Sequence, residues 1–292
     1  MNDAPNPSGD TRLDAARRFF LTSGRLLERH LFHFLFENGP REAVLRALLA
    51  YRTEAGGFAY GLEPDKRSAH PQPIDQEQAL KVLADTGPDD EVLARLLDFL
   101  PSITTPEGGL PFVLETVADA PRAPWWNTEP HPSASLNPTA SVAGLLCEFG
   151  ASHPWLELAV SFVWDKLETL TEADPHTLLS VLVFLGHVPE RARAEAALER
   201  LAPAVLGNTA LDPDAKGYVH PPYAFSPTPT SLAARLYDGA TMGRHLDTLE
   251  RKQQEDGGWP IGWEAISPGV ALEYRSIVTL NALKTLRAYG RL

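Results

Sequence analysis

The sequence predicts an all-α fold in which inner and outer helices alternate around a ring, and three observations point there. A Gly-Gly-apolar pattern recurs as "TEAGGFAYG" at 56–58, "TPEGGLPF" at 108–110 and "QEDGGWPIG" at 257–259, with a weaker copy, "PDAKGYVH", at Gly217 and Tyr218. Self-similarity of this kind marks a repeat architecture. The segments after these joints are rich in Ala, Leu and Val nearly all round, as buried helices are. The segments between them place apolar residues at three- and four-residue intervals with charges opposite, as helices with one wet face do.

In chain order, "MNDAPNPSGD" has no apolar periodicity, so residues 1–10 are expected to be a disordered tail and 11–292 a single domain. "TRLDAARRFFLTSGRLLERHLFHFLF" and "PREAVLRALLAYRT" supply the first helices. The buried helices are predicted at 75–87, 137–150, 175–187, 228–239 and 273–290. The outer ones are "DEVLARLLDFL", "PWLELAVSFVWDKLETL", "PERARAEAALERLAPAVL" and "ATMGRHLDTLERKQQ". A degenerate joint is expected near 170–179. Short connectors ("TGPD", "GASHP", "GHVP", "DGA") alternate with long ones at 55–74, 105–136, 210–227 and 257–272. In a ring of antiparallel helices that alternation puts every long connector at one end. Connectors this long usually carry function, and the positive N-terminal ends of the inner helices point toward them.

Composition narrows the classes. The formal charge of −12, from 38 acidic against 26 basic residues without a Lys/Arg cluster, argues against a nucleic-acid partner. There is no signal segment and no apolar run long enough to span a bilayer, which predicts a cytoplasmic protein without stable membrane insertion. The lone Cys147 has no internal disulfide partner and reads as a buried, inert thiol. His30 and His33 share a helix face without carboxylate or thiolate ligands beside them, so no metal is expected. No Gly-x-Ser-x-Gly elbow and no phosphate loop occur, and no cofactor is expected.

The long connectors hold the candidate chemistry. The first carries Glu63, Asp65, Lys66, Arg67, His70 and Asp75; the second Trp125, Trp126, Asn127, Glu129 and His131; the third Asp214, Tyr218, His220 and Tyr223; the last Trp263, leading into Tyr274 and Arg275. Ordering so many rings, imidazoles and carboxylates is expensive and unnecessary for closing a ring of helices, and a small-molecule substrate would explain it. Several have a structural reading beside the functional one. Asp75 and Asn137 stand where helix caps stand, Glu63 and Asp65 flank a turn proline, and Trp125 and Trp126 could anchor the connector or contact a ligand. Asp89 and Asp90 in "PDDEVL" read as a helix start.

Gln253, Gly257 and Trp259 fit the spacing Q-x(2–5)-G-x-W. On these residues the chain resembles a stand-alone member of the α/α-toroid superfamily of squalene and hopene cyclases and protein prenyltransferase β subunits. The resemblance implies a single (α/α)6-like toroid whose central cavity takes an apolar, isoprenoid-like substrate at the long-connector end. It gives Gln253, the glycines and Trp259 a structural role at the joint. Cyclases of that superfamily start with an Asp-x-Asp-Asp acid; here "LDPDAKG" has Asp212 and Asp214 but Ala215 next, a departure from the pattern. Zinc-dependent prenyl transfer needs Asp, Cys and His together, and only Cys147 is at hand. The implied catalytic set is Asp65 or Asp214 as acid, with His131 and His220 in proton transfer. Glu63, Arg67, Asp75, Trp125, Trp126, Asn127, Tyr218, Tyr223, Trp263, Tyr274 and Arg275 would contact substrate, the rings stabilising positive charge. A carbohydrate-active enzyme, or a binding module without turnover, fits the same residue types.

Overall fold

The computed structural model describes residues 9–292, with side chains from Thr11 onward. Of the expected tail, residues 1–8 lie outside the described residues, whereas Gly9 and Asp10 open the first helix. In chain order the helices are α1 (Gly9–Ser23), α2 (Leu26–Glu37), α3 (Arg41–Leu49), α4 (Pro73–Thr86), α5 (Asp90–Phe99) and α6 (Leu136–Glu148). They continue with α7 (Pro154–Thr169), α8 (Pro175–His187), α9 (Arg191–Gly207), the short α10 (Pro222–Phe225), α11 (Gly239–Arg251) and α12 (Pro268–Ala288). Among the described residues there is no sheet, only three isolated bridges. The fold is all-α.

The chain folds as two compact units, one of Leu45–Asn208 and one of Met1–Val44 with Thr209–Leu292. In the unit of 45–208, α6 packs between α4 and α8, while α7 lies on α6 and α9 on α8. The reason is in the sequence of α6: every residue from Pro138 to Leu146 is buried, and Gly144 lets α8 approach so closely that a Cβ there would lie 2.7 Å from the Phe184 Cα. By contrast α5 buries Val92, Leu93, Leu96, Leu97 and Phe99 and leaves its charges wet. Asp89 caps it as its position predicts, accepting from the Val92 N–H at 3.2 Å. In the other unit α12 packs on α1, α2 and α11.

Three joints share one hydrogen-bond plan. Thr53, Thr105 and Gln254 each donate a backbone N–H to the second glycine's carbonyl (Gly57, Gly109, Gly258) at 2.8, 2.9 and 2.9 Å, and accept from the first glycine's N–H. The next residue, Phe58, Leu110 or Trp259, donates its N–H to a polar side chain on the following helix: Gln76, Thr139 or Thr279, each at 2.8 Å. The first glycines sit at φ of +99°, +88° and +93°, where a side chain is strained. The second glycines face a phenylalanine ring on a neighbouring helix, Phe99, Phe162 or Phe19 respectively. At the third joint Gln253 Nε2 donates to the carbonyls of Arg12 (3.0 Å) and Gly257 (2.9 Å), and the Trp259 indole donates to Leu249 O at the end of α11. Backbone groups left over at helix ends are thereby paired.

The structure departs from expectation at three places. Residues 228–239 form a single 3-10 turn, Leu232–Leu236, in place of a buried helix; Pro227 and Pro229 bias the residues before them, Ser226 and Thr228, toward extended backbone. Near 170–179 no glycine joint forms, and α7 passes to α8 through a turn closed by Asp174, which accepts from the N–H groups of His176 and Thr177. Ser135, not Asn137, caps α6: its hydroxyl accepts the Asn137 N–H, and Asn137 lies inside the helix in a non-helical conformation before a cis Pro138.

Candidate functional site

In the unit of 45–208 the first and second long connectors are knitted together. Arg67 N–H donates to Pro121 O at 2.9 Å, Ala123 N–H to Asp65 O at 2.8 Å, and Leu114 N–H to Gln72 Oε1 at 2.8 Å. Gln72 reaches Thr116 with its amide nitrogen, while Gln76 holds both the N–H and the carbonyl of Phe58. These two glutamines span connectors and helix start, because one amide supplies both a donor and an acceptor.

At the centre of this knot lie three buried charged side chains: Asp65, Lys66 and Asp75. The Lys66 ammonium pairs with Asp75 Oδ2, both groups fully shielded from solvent. Asp75 also accepts from the backbone N–H of Glu63 (3.0 Å) and of Gln72 (3.3 Å), so it caps α4 and neutralises Lys66 at once. Burial pushes its carboxyl up, against the opposing pull of Lys66 and of those two N–H groups. Glu63, also buried, accepts from Gln78 Nε2 at 2.9 Å.

Asp65 differs. Its Oδ1 accepts from the Trp126 indole N–H at 2.5 Å, whereas its Oδ2 is buried without a hydrogen-bond partner among the described residues. Trp126 buries its ring with Ile74, Val113, Val117 and Ala123 and stacks on Phe112, centroids 5.0 Å apart at 16°. A carboxyl oxygen stripped of water and given no donor is costly, so such a group marks either strain or use.

The rest of the predicted residues of this unit lie outward. Trp125 is exposed, the two rings of the Trp-Trp pair having separated into one wet and one buried. Asn127 accepts from Arg122 Nε at 3.0 Å on the surface. His131 is 96% exposed, its ring nitrogen 3.7 Å from Glu115. Arg67 is half-buried beside Gly61.

In the other unit the third and fourth connectors meet through rings. Tyr218 packs edge-to-face on His220 (5.1 Å) and on Trp263 (5.3 Å), and Trp263 on Tyr274 (5.0 Å), which is buried at the start of α12. Each contact sets the positive edge of one ring against the negative face of another. Tyr223 is half-buried, and burial pushes its phenol up to about 12. Asp214 is exposed, its N–H closing a turn on Asp212 Oδ1 at 3.0 Å. Arg275 serves the joint: its guanidinium binds Asp256, Gln254 and Trp259 O and lies over the Phe19 ring.

Thus Glu63, Asp65, Asp75 and Trp126 come together in one unit, and Tyr218, His220, Trp263 and Tyr274 in the other. Lys66, Gln72 and Gln76 complete the first group without any motif to announce them; a lysine directly after an acid, and glutamines at the head of an apolar helix, were the available signal. No cluster of three metal-ligating side chains occurs among the described residues, and no described helix is long and apolar enough to cross a membrane.

Comparison with solved structures finds a likeness to a type II terpene cyclase, MstE from Scytonema in its apo form, covering 97% of this chain and 99% of that one at a TM-score of 0.57 and 14% identity. That likeness shows the fold. The protein has a terpene-cyclase-like helical architecture. No protein-family model and no curated protein matches the sequence.

Proposed function

We propose that the protein is an enzyme that acts on an apolar, isoprenoid-like small molecule by proton transfer, a reading supported by its likeness in fold to a type II terpene cyclase, with Asp65 as the acid. The observation that carries this reading is the contrast between two neighbouring buried carboxyls. Asp75 spends its oxygens on an ammonium and two N–H groups, whereas Asp65 keeps Oδ2 unpartnered. A carboxyl kept only for structure would be satisfied as Asp75 is.

In the reaction so read, the Asp65 Oδ2–H bond breaks as a substrate double bond gives its electron pair to that proton. A C–H bond forms, positive charge develops on the adjacent carbon, and the carboxylate is left behind. A second double bond then attacks the cation to close a ring, and loss of a proton to a base ends the sequence. The apolar side chains around Trp126 keep water from Asp65, which strengthens its electrostatic interactions. Asp212 and Asp214, exposed and followed by Ala215, are not assigned this role.

The test is incubation with linear polyprenyl hydrocarbons, alcohols and diphosphates, with isomeric cyclic products read by gas chromatography and mass spectrometry. Asp65→Asn is expected to lower turnover by about a hundredfold or more, as loss of a positioned acid does, and Asp214→Asn to leave it near wild type. Turnover surviving Asp65→Asn overturns the assignment.

A further inference from the structure

Asp65 does not stand alone. Its carbonyl accepts from the Ala123 N–H at 2.8 Å, the Ala123 carbonyl accepts from the Trp126 N–H at 3.0 Å, and the Trp126 indole returns to Asp65 Oδ1. Main chain and side chain of one residue are therefore tied to a single turn of the second connector. The turn is itself anchored, because the Trp126 ring is buried on Ile74, Val113 and Val117 and stacked on Phe112. Neighbouring bonds repeat the tie: Lys66 bridges to Arg122, and Arg67 N–H reaches Pro121 O. A ring held on all sides leaves its N–H one direction to point.

We infer that Trp126 is a positioning residue for the acid: by donating to Oδ1 it fixes the carboxyl plane and leaves Oδ2 as the oxygen that releases and recovers the proton. The inference rests on the reading of Asp65 as the acid. A neutral carboxyl carries its hydrogen on one oxygen only, and an N–H donor facing Oδ1 favours that oxygen as the acceptor. Without the indole N–H the carboxyl can rotate and place its proton on either oxygen, so fewer encounters find it aimed at the substrate. A purely structural tryptophan would need its ring in the apolar cluster, and its N–H could face any acceptor.

Two measurements test this separately. In the nitrogen–proton NMR spectrum, the Trp126 indole proton is expected far downfield and slow to exchange in wild type. It should move upfield and exchange faster in Asp65→Ala, which removes the acceptor; an unchanged resonance overturns the inference. In turnover of the polyprenyl probe, Trp126→Phe keeps an aromatic ring against Phe112 and removes the donor. It is expected to lower kcat about ten- to hundredfold, the loss of one hydrogen bond that becomes charge-assisted as the carboxylate forms in the transition state, with KM within about twofold. Trp126→His, which restores a ring donor, should recover part of that loss. If Asp65→Asn abolishes turnover while Trp126→Phe leaves kcat within about twofold, positioning is wrong and the acid stands. If Asp65→Asn turns over normally, or wild type converts no polyprenyl probe, the acid reading falls and this inference falls with it. Should Trp126→Phe fail to fold, an unchanged indole resonance in Asp65→Ala still overturns the inference.

Discussion

Gly257 and Gly217 lie in the same unit with nearly the same backbone, φ +93° and +87°, but in different surroundings. A Cβ at 257 would lie 1.9 Å from Ala15 O and 2.3 Å from Ala15 C, main-chain atoms of α1 that cannot rotate aside. A Cβ at 217 would meet nothing within 4 Å. Both alanine substitutions force a side chain into left-handed backbone, a penalty of about 1–2 kcal/mol. Only Gly257→Ala adds a collision with a helix, about 1–3 kcal/mol more if the neighbours relax as overpacked cores do. Gly217→Ala should therefore destabilise by about 1–2 kcal/mol and Gly257→Ala by about 2–5 kcal/mol. Urea unfolding followed by tryptophan fluorescence and by circular dichroism reads both, with coincident transitions required for the comparison. If the two variants agree within about 0.5 kcal/mol, the third joint is not pressed against α1 and the account of the glycine pairs is wrong.

Lys66→Met leaves Asp75 buried without its counter-charge and is expected to destabilise by about 3–5 kcal/mol. The double variant Lys66→Met/Asp75→Asn should regain much of that, and a single variant within about 1 kcal/mol of wild type would refute the pair's importance. Burial raises Tyr223 to about 12, so above the ordinary tyrosine value near 10 the unfolded chain ionises first. Stability from this group is complete below about pH 10 and is lost as pH rises toward 12, at most about 2–3 kcal/mol; Tyr223→Phe should flatten the alkaline limb of the stability curve. Cys147, expected to be buried, is only half-buried, and its thiol is raised to about 11, by partial burial first and then by Glu190. Its alkylation at pH 8 should be about a hundredfold slower in the native protein than in the urea-unfolded chain, and equal rates would show an open thiol.

What could be read from the residues was whatever the backbone forces. The glycine pairs were visible because no other residue tolerates both the φ near +90° and a helix at van der Waals distance. The helices α6 and α8 were visible because a helix buried nearly all round reads as apolar nearly all round, whereas α4 also buries Asp75, Gln76 and Glu77 and leaves Lys81 exposed. Composition misled at 228–239, where "SLAARL" reads as helix and only a 3-10 turn forms. Asn137 and Ser135 are both good caps, and only the folded chain chooses between them. Within the site, no pattern separates Trp125 from Trp126 or tells an acid spent on capping, Asp75, from one left with an open oxygen, Asp65. That distinction depends on which connector lies over which, a long-range fact with no local sequence signature.

Because each joint is held largely by peptide N–H and carbonyl groups, the side chain after the second glycine is free to vary. Phe58, Leu110 and Trp259 all occupy it, only the last adding a bond of its own, while Gln76, Thr139 and Thr279 fulfil one receiving duty with two functional groups. An architecture wired this way can let its lettering drift very far and still bend at the same corners.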